Sequence, residues 1–143
     1  MTEPAVLRTP ADYETFRIAA GDTNRMALIA DPIRDGVKFT AIVEIFDPGG
    51  KTPPNTHAEA AELFFVLSGR GRAWCDGRSV ELSAGDSLLV RPGSEHVFEN
   101  IGSERLYCLT VMVPNEGFAE LIRSGLPAPL DAGDLAVLRG ERD

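Results

Sequence analysis

The stretch Gly49-Gly50-Lys51-Thr52-Pro53-Pro54-Asn55-Thr56-His57-Ala58-Glu59-Ala60-Ala61-Glu62 runs straight into Leu63-Phe64-Phe65-Val66-Leu67 and decides how the chain is read. Its glycines and prolines turn the backbone sharply at the start. Asn55 and His57 share parity, so on extended backbone both side chains point to one face. Glu62 heads an apolar run, where a carboxylate is costly to bury unless it is paired or bound to a cation. A second stretch has the same character: Gly85-Asp86-Ser87-Leu88-Leu89-Val90 leads to Arg91-Pro92-Gly93-Ser94-Glu95-His96-Val97-Phe98-Glu99-Asn100. Here a turn at Pro92-Gly93 delivers His96 to the head of another β-type run. The two stretches hold both histidines of the chain. Neutral imidazole suits Fe, Mn, Ni, Zn or Cu, and a carboxylate adds negative charge. His57, Glu62 and His96 therefore make a donor set for one divalent transition metal, with open positions for water or substrate.

Outward from these stretches, runs of β-branched, aromatic and aliphatic residues alternate with Gly, Pro and Asp. The pattern predicts strands over 15–19, 25–30, 37–46, 62–67, 71–75, 79–82, 87–90, 96–100 and 106–113, at a spacing that suits an all-β sandwich or barrel. Asp76-Gly77 reads as a two-residue hairpin turn, because both central positions of a type I′ turn need positive φ. In 106–113, Leu106, Cys108, Thr110 and Met112 form the more polar face, and which face turns inward stays open. Beyond Pro114 the period changes. Phe118, Leu121 and Ile122 fall on one side of a short helix that Gly125 ends, the next prolines keep the backbone extended, and 131–138 reads as a further helical turn.

The chain has 143 residues, 43% hydrophobic and 25% charged, which predicts one globular domain over 1–143 with its own core. The longest apolar run, 63–67, is far short of the roughly 20 residues that cross a bilayer. Met1-Thr2-Glu3-Pro4 has neither the basic patch nor the apolar stretch of a signal peptide, so a cytoplasmic location is expected. A net charge of -8 disfavours phosphate backbones and anionic lipids, which argues against nucleic acid or a membrane surface as partner. Cys75 and Cys108 are too few for a disulfide scaffold and read as buried reduced thiols.

The spacings G-x5-N-x-H-x4-E-x6-G, from Gly49 through Asn55, His57 and Glu62 to Gly69, and G-x5-R-x-G-x2-H-x3-N, from Gly85 through Arg91, Gly93 and His96 to Asn100, resemble the two motifs of the cupin superfamily. This family has histidine where the chain has Asn55 and proline where it has Arg91; the other motif positions match. The resemblance implies a small single-domain cupin of the conserved-barrel type: an all-β jelly-roll barrel of antiparallel strands with a short helical C-terminal tail. The barrel core is expected over about 37–113, extra strands within 1–36 and the tail over 114–143. Cupins of this kind commonly hold a metal with three histidines and one glutamate, which adds Asn55 to His57, Glu62 and His96 as a metal-site position. Its amide oxygen either coordinates, stands behind a three-ligand site, or marks an empty one. A rival register that puts Glu59 in the second ligand place misplaces Glu62 and the preceding glycine, and Glu59 reads better as a solvated loop residue.

The expected function is that of a small metal-binding cupin, a metal-dependent enzyme acting on a small organic molecule in dioxygenase-like fashion or else as an isomerase or lyase. The alternative is a noncatalytic ligand-binding or sensing cupin whose site has degenerated at Asn55. Sugar-nucleotide epimerisation is disfavoured, since the motifs claim both histidines and leave none as general base. No catalytic residue is assigned. A homodimer is expected, because small barrels with added strands expose edges that proteins tend to pair.

Overall fold

In the computed structural model, which describes residues 3–141, the period-two alternation becomes strands β1 (Glu14–Arg17), β2 (Asn24–Ala30), β3 (Thr40–Phe46), β4 (Ala61–Ser68), β5 (Arg70–Cys75), β6 (Arg78–Ser83), β7 (Ser87–Val90), β8 (His96–Asn100), β9 (Leu106–Val113) and the two-residue β10 (Leu126–Pro127). Met1, Thr2 and the last two residues of the tail lie outside the described residues. The strands form a seven-stranded sheet, in the order β10-β1-β2-β3-β9-β4-β7, and a three-stranded sheet, β6-β5-β8. Every pairing is antiparallel. The two sheets pack as a jelly-roll barrel, in agreement with the alternating pattern of the sequence. Asp76 and Gly77, at φ 50° and 81°, make the expected hairpin turn between β5 and β6.

The inward faces carry the core. Phe46, Phe64, Val66, Ala73, Leu82, Val90, Phe98, Leu106 and Cys108 pack into one buried cluster, with the rings of Phe64 and Phe98 stacked at 4.8 Å. The face of β9 left open by the sequence is now oriented: Leu106, Cys108, Thr110 and Met112 all turn inward and are buried. Cys75 and Cys108 are free thiols, the first half-buried and the second buried.

Among the described residues a 3-10 turn at Pro10–Asp12 and three short α-helices complete the fold: α1 (Pro32–Asp35), α2 (Phe118–Arg123) and α3 (Ala132–Leu138). No helix among the described residues is long and apolar enough to cross a membrane. The period of Phe118, Leu121 and Ile122 is realised in α2, where Ile122 packs with Met26, Leu28 and Ile42. Gly125 follows, pressed against β1 so closely that a Cβ there would lie 2.1 Å from the Arg17 carbonyl oxygen. Only glycine fits this crossing. α3 lies on the outer face of the long sheet, where Ala27, Val43, Ile45 and Tyr107 pack with Leu130, Val137 and Leu138.

One expectation needs correction, and one element went unread. The predicted strand 37–46 begins only at Thr40, because the Lys38 carbonyl accepts from the Asn115 amide of the tail rather than joining the ladder. The helical turn α1 was not read from the sequence, although Asp31 caps it by accepting from Ile33 N and Arg34 N, Pro32 opens it and Gly36 closes it with left-handed backbone.

Candidate metal centre

The two motif stretches meet because their backbones are bonded to each other. Asn55 N donates to His96 O at 3.0 Å and His96 N to Asn55 O at 2.9 Å, while Gly93 N donates to His57 O at 2.8 Å. Thr52 adds two further bonds to Phe98, one from its amide and one to its hydroxyl. The loop before β4 is thereby laid along β8, and the rings of His57 and His96 come to 5.2 Å between centroids. Glu62, an inward position near the start of β4, faces them across the barrel interior and is 6% exposed.

Both imidazoles aim Nε2 at one carboxylate oxygen, His96 at 2.9 Å and His57 at 3.3 Å from Glu62 Oε1. A ligand atom from each of the three residues lies within 4.8 Å of the others. The tautomer of His96 follows from its other nitrogen: Nδ1 lies 3.0 Å from the Ser94 carbonyl, which can only accept, so Nδ1 carries hydrogen and Nε2 presents a lone pair. A lone pair 2.9 Å from a carboxylate oxygen is repulsive until a cation sits between them. A proton on Nε2 or a metal ion meets that need, and two imidazole nitrogens with one carboxylate suit the borderline transition metals. His57 is flanked on its far side by Glu116, whose Oε2 is 3.7 Å from Nδ1, a charge contact rather than a hydrogen bond.

Burial pushes the Glu62 carboxyl up, but hydrogen bonds and charge from His57 and His96 outweigh it and hold the group below its ordinary range. Burial likewise pushes His96 down, and its bonds to Glu62 and the Ser94 carbonyl reverse the sign and raise it. The cluster therefore favours negative carboxylate beside positive charge, the electrostatics a bound cation needs.

The cluster opens onto a cavity of about 450 Å³. Asn55 lines it beside His57, Glu62 and His96; among the described residues its side chain has no hydrogen bond to protein. Glu59 is exposed and contributes only its backbone amide, which donates to Glu116 Oε1 at 2.7 Å. Arg91 is exposed on its turn. The inward residues of β9 do not reach the cavity, whose remaining wall comes from elsewhere: Ile18 and Met26 near β1 and β2, and Phe118 and Leu121 on α2. Glu44, also in the wall, was not singled out from the sequence, yet its signal was the one that marked Glu62: a carboxylate between Ile42 and Phe46 at an inward position of an apolar strand. Glu116 carried no such signal, since only the path of the tail brings it to His57.

The antiparallel jelly-roll barrel with its paired motif stretches places this chain in the cupin family, to which it belongs. Residues 42–112 match the cupin domain family. Over 106 residues the chain is 30% identical to the oxalate-binding protein of Thermotoga maritima, covering 73% of this chain and 87% of that protein. Over 87 residues it is 32% identical to an uncharacterized protein of Methanocaldococcus jannaschii, covering 61% and 70% respectively. A solved structure, that of a predicted oxalate decarboxylase from Thermotoga maritima, superposes with a TM-score of 0.68 at 23% identity, over 77% of this chain and 99% of that one.

Proposed function

We propose that the chain holds one divalent transition metal on His57, Glu62 and His96 and acts on a small organic acid, with oxidoreductase chemistry of the dioxygenase type as the reaction class. The observation that carries this reading is the shared oxygen, Glu62 Oε1, faced by the Nε2 atoms of both histidines at 2.9 and 3.3 Å. When bound, such a metal polarises a substrate oxygen or activates dioxygen. The chain's own residues do the rest. The Ser94 carbonyl fixes the His96 tautomer, Glu116 sets a negative charge behind His57, and Asn55 offers an amide oxygen where many cupins carry a further histidine. Phe64 packs edge-on against His96 at 6.3 Å, while Phe118 and Leu121 cover the cavity and limit water beside the cluster.

The name of the oxalate-binding relative favours a second reading, in which the same metal holds an acid without turning it over. The working unit on either reading is a homodimer, supported by the apolar outer face of β4 and β7, where Leu63, Phe65 and Leu89 are exposed. The metal assignment is tested by elemental analysis of untagged protein after loading with Co(II) and desalting. The expected result is close to one cobalt per chain in the wild type and less than about a tenth of that in His96→Ala. Equally negligible cobalt in both would overturn it.

A further inference from the structure

The metal cluster leaves one buried acid of the cavity unused. Glu44 stands at an inward position of β3, opposite Met26 on β2 and Cys108 on β9, and is 3% exposed. Among the described residues its hydrogen-bond partner is Asn24 Nδ2, at the long distance of 3.5 Å. Asn24 is itself buried, and its Oδ1 accepts from the Thr23 hydroxyl at 3.1 Å. Glu44, Asn24 and Thr23 all line the same cavity as His57, Glu62 and His96. A carboxyl has several acceptor sites, and a buried one with a single long contact is undersatisfied at a cost. Open to a cavity, that deficit is what a ligand's polar group relieves.

Charge narrows what that group is. Lys51 is the single lysine or arginine among the residues lining the cavity, against Glu44, Glu62 and Asp22. A second carboxylate brought up to Glu44 would be buried in this part of the cavity without a guanidinium to pair it. A hydroxyl fits either form of Glu44, donating to the carboxylate or accepting from the acid. Size points the same way: about 450 Å³ is in the range that encloses ligands well beyond a two-carbon acid.

We propose that Glu44, with Asn24, is a second recognition point for a neutral hydroxyl, so that the preferred ligand class is a hydroxylated monocarboxylic acid. Its carboxylate lies at the metal cluster, its aliphatic frame along Met26, Phe118 and Leu121, and its hydroxyl at Glu44. This rests on the metal centre proposed above. A bare dicarboxylate such as oxalate leaves Glu44 unsatisfied and is the poorer ligand.

Calorimetric titration of the Co(II)-loaded protein with short ω-hydroxyalkanoates, the matched alkanoates, the matched α,ω-diacids and oxalate tests it. The best hydroxyacid is expected to bind at least about tenfold tighter than its matched alkanoate and diacid and than oxalate. Glu44→Leu should bring the hydroxyacid to within about twofold of the alkanoate with cobalt content unchanged. Glu44→Gln, which keeps hydrogen bonding, should retain the hydroxyl preference, whereas Glu44→Met should lose it; the Gln and Met pair carries the test if Glu44→Leu does not fold. Cobalt uptake with a flat series, no binding across it, or oxalate as the tightest ligand overturns this inference alone. Failure of the wild type to take up cobalt overturns the metal reading and this one with it.

Discussion

Glu44 and Glu62 stand on neighbouring parts of one cavity wall and are pushed in opposite directions. Burial first, and then the charge of Glu62, raise the Glu44 carboxyl to about 8, and the Asn24 amide opposes this only weakly. A carboxyl raised above its unfolded value of 4.5 binds its proton more tightly in the folded chain, so its stabilising contribution is complete below 4.5 and is lost as pH rises toward 8. The expected outcome is that metal-free Glu44→Gln matches the wild type near pH 5 and exceeds it by about 2 kcal/mol at pH 8. Urea unfolding in a chelator at the two pH values measures this, and a difference that does not change with pH would contradict it. At this scale the sequence was only partly legible. His57, Glu62 and His96 declared themselves by spacing, whereas Glu44 was passed over although it stands in an apolar strand as Glu62 does. Glu116 and Asn24 carried no signal, because each matters through a neighbour distant in the chain.

The last helix is held by one buried acid. Asp134, fully buried in α3, accepts from Arg25 at 2.6 and 3.0 Å, from the Tyr107 hydroxyl at 2.7 Å and from Arg105 at 3.0 Å. Burial works against its ionisation, but these partners, Arg25 foremost, hold the carboxyl below its ordinary value. Its contribution is therefore present above the unfolded value and is lost only as pH falls through the lowered folded one, in strong acid. Asp134→Asn at neutral pH should cost about 3–5 kcal/mol, since it strands the buried Arg25 without a counter-charge. A loss under about 1 kcal/mol in urea unfolding would mean that α3 is anchored by its apolar contacts instead. The ends of elements were harder to read from the sequence than the elements themselves. The strands from β4 to β9 follow the alternation within a residue or so. β10 is two residues long and exists through its pairing with Phe16 and Arg17, which no local pattern announces.

Across the whole molecule, the outer face of the long sheet is covered on one side and bare on the other. α3 and Tyr13 lie over Val43 and Ile45, whereas Leu63, Phe65, Leu67, Leu89 and Val113 on β4, β7 and β9 are 37–54% exposed. The sequence pointed to unpaired edges of the N-terminal strands as the reason to dimerise, but β10 pairs with β1, and the larger uncovered apolar surface is this face. Light scattering should therefore give twice 15.4 kDa at micromolar concentration, and the double substitution Phe65→Glu with Leu89→Glu should give the monomer. A wild type that scatters as 15.4 kDa would refute the dimer. The cavity itself has a divided origin. Residues 42–112, the span that marks the family, supply the His57, Glu62 and His96 cluster and Glu44, whereas Ile18, Asn24, Met26, Phe118 and Leu121 come from segments on either side. The family's span thus carries the cluster and one acid of the wall, and much of the remaining wall is built from outside it. A chain can therefore carry the family's motifs intact and still differ from its kin in diet, through walls that the motifs do not build.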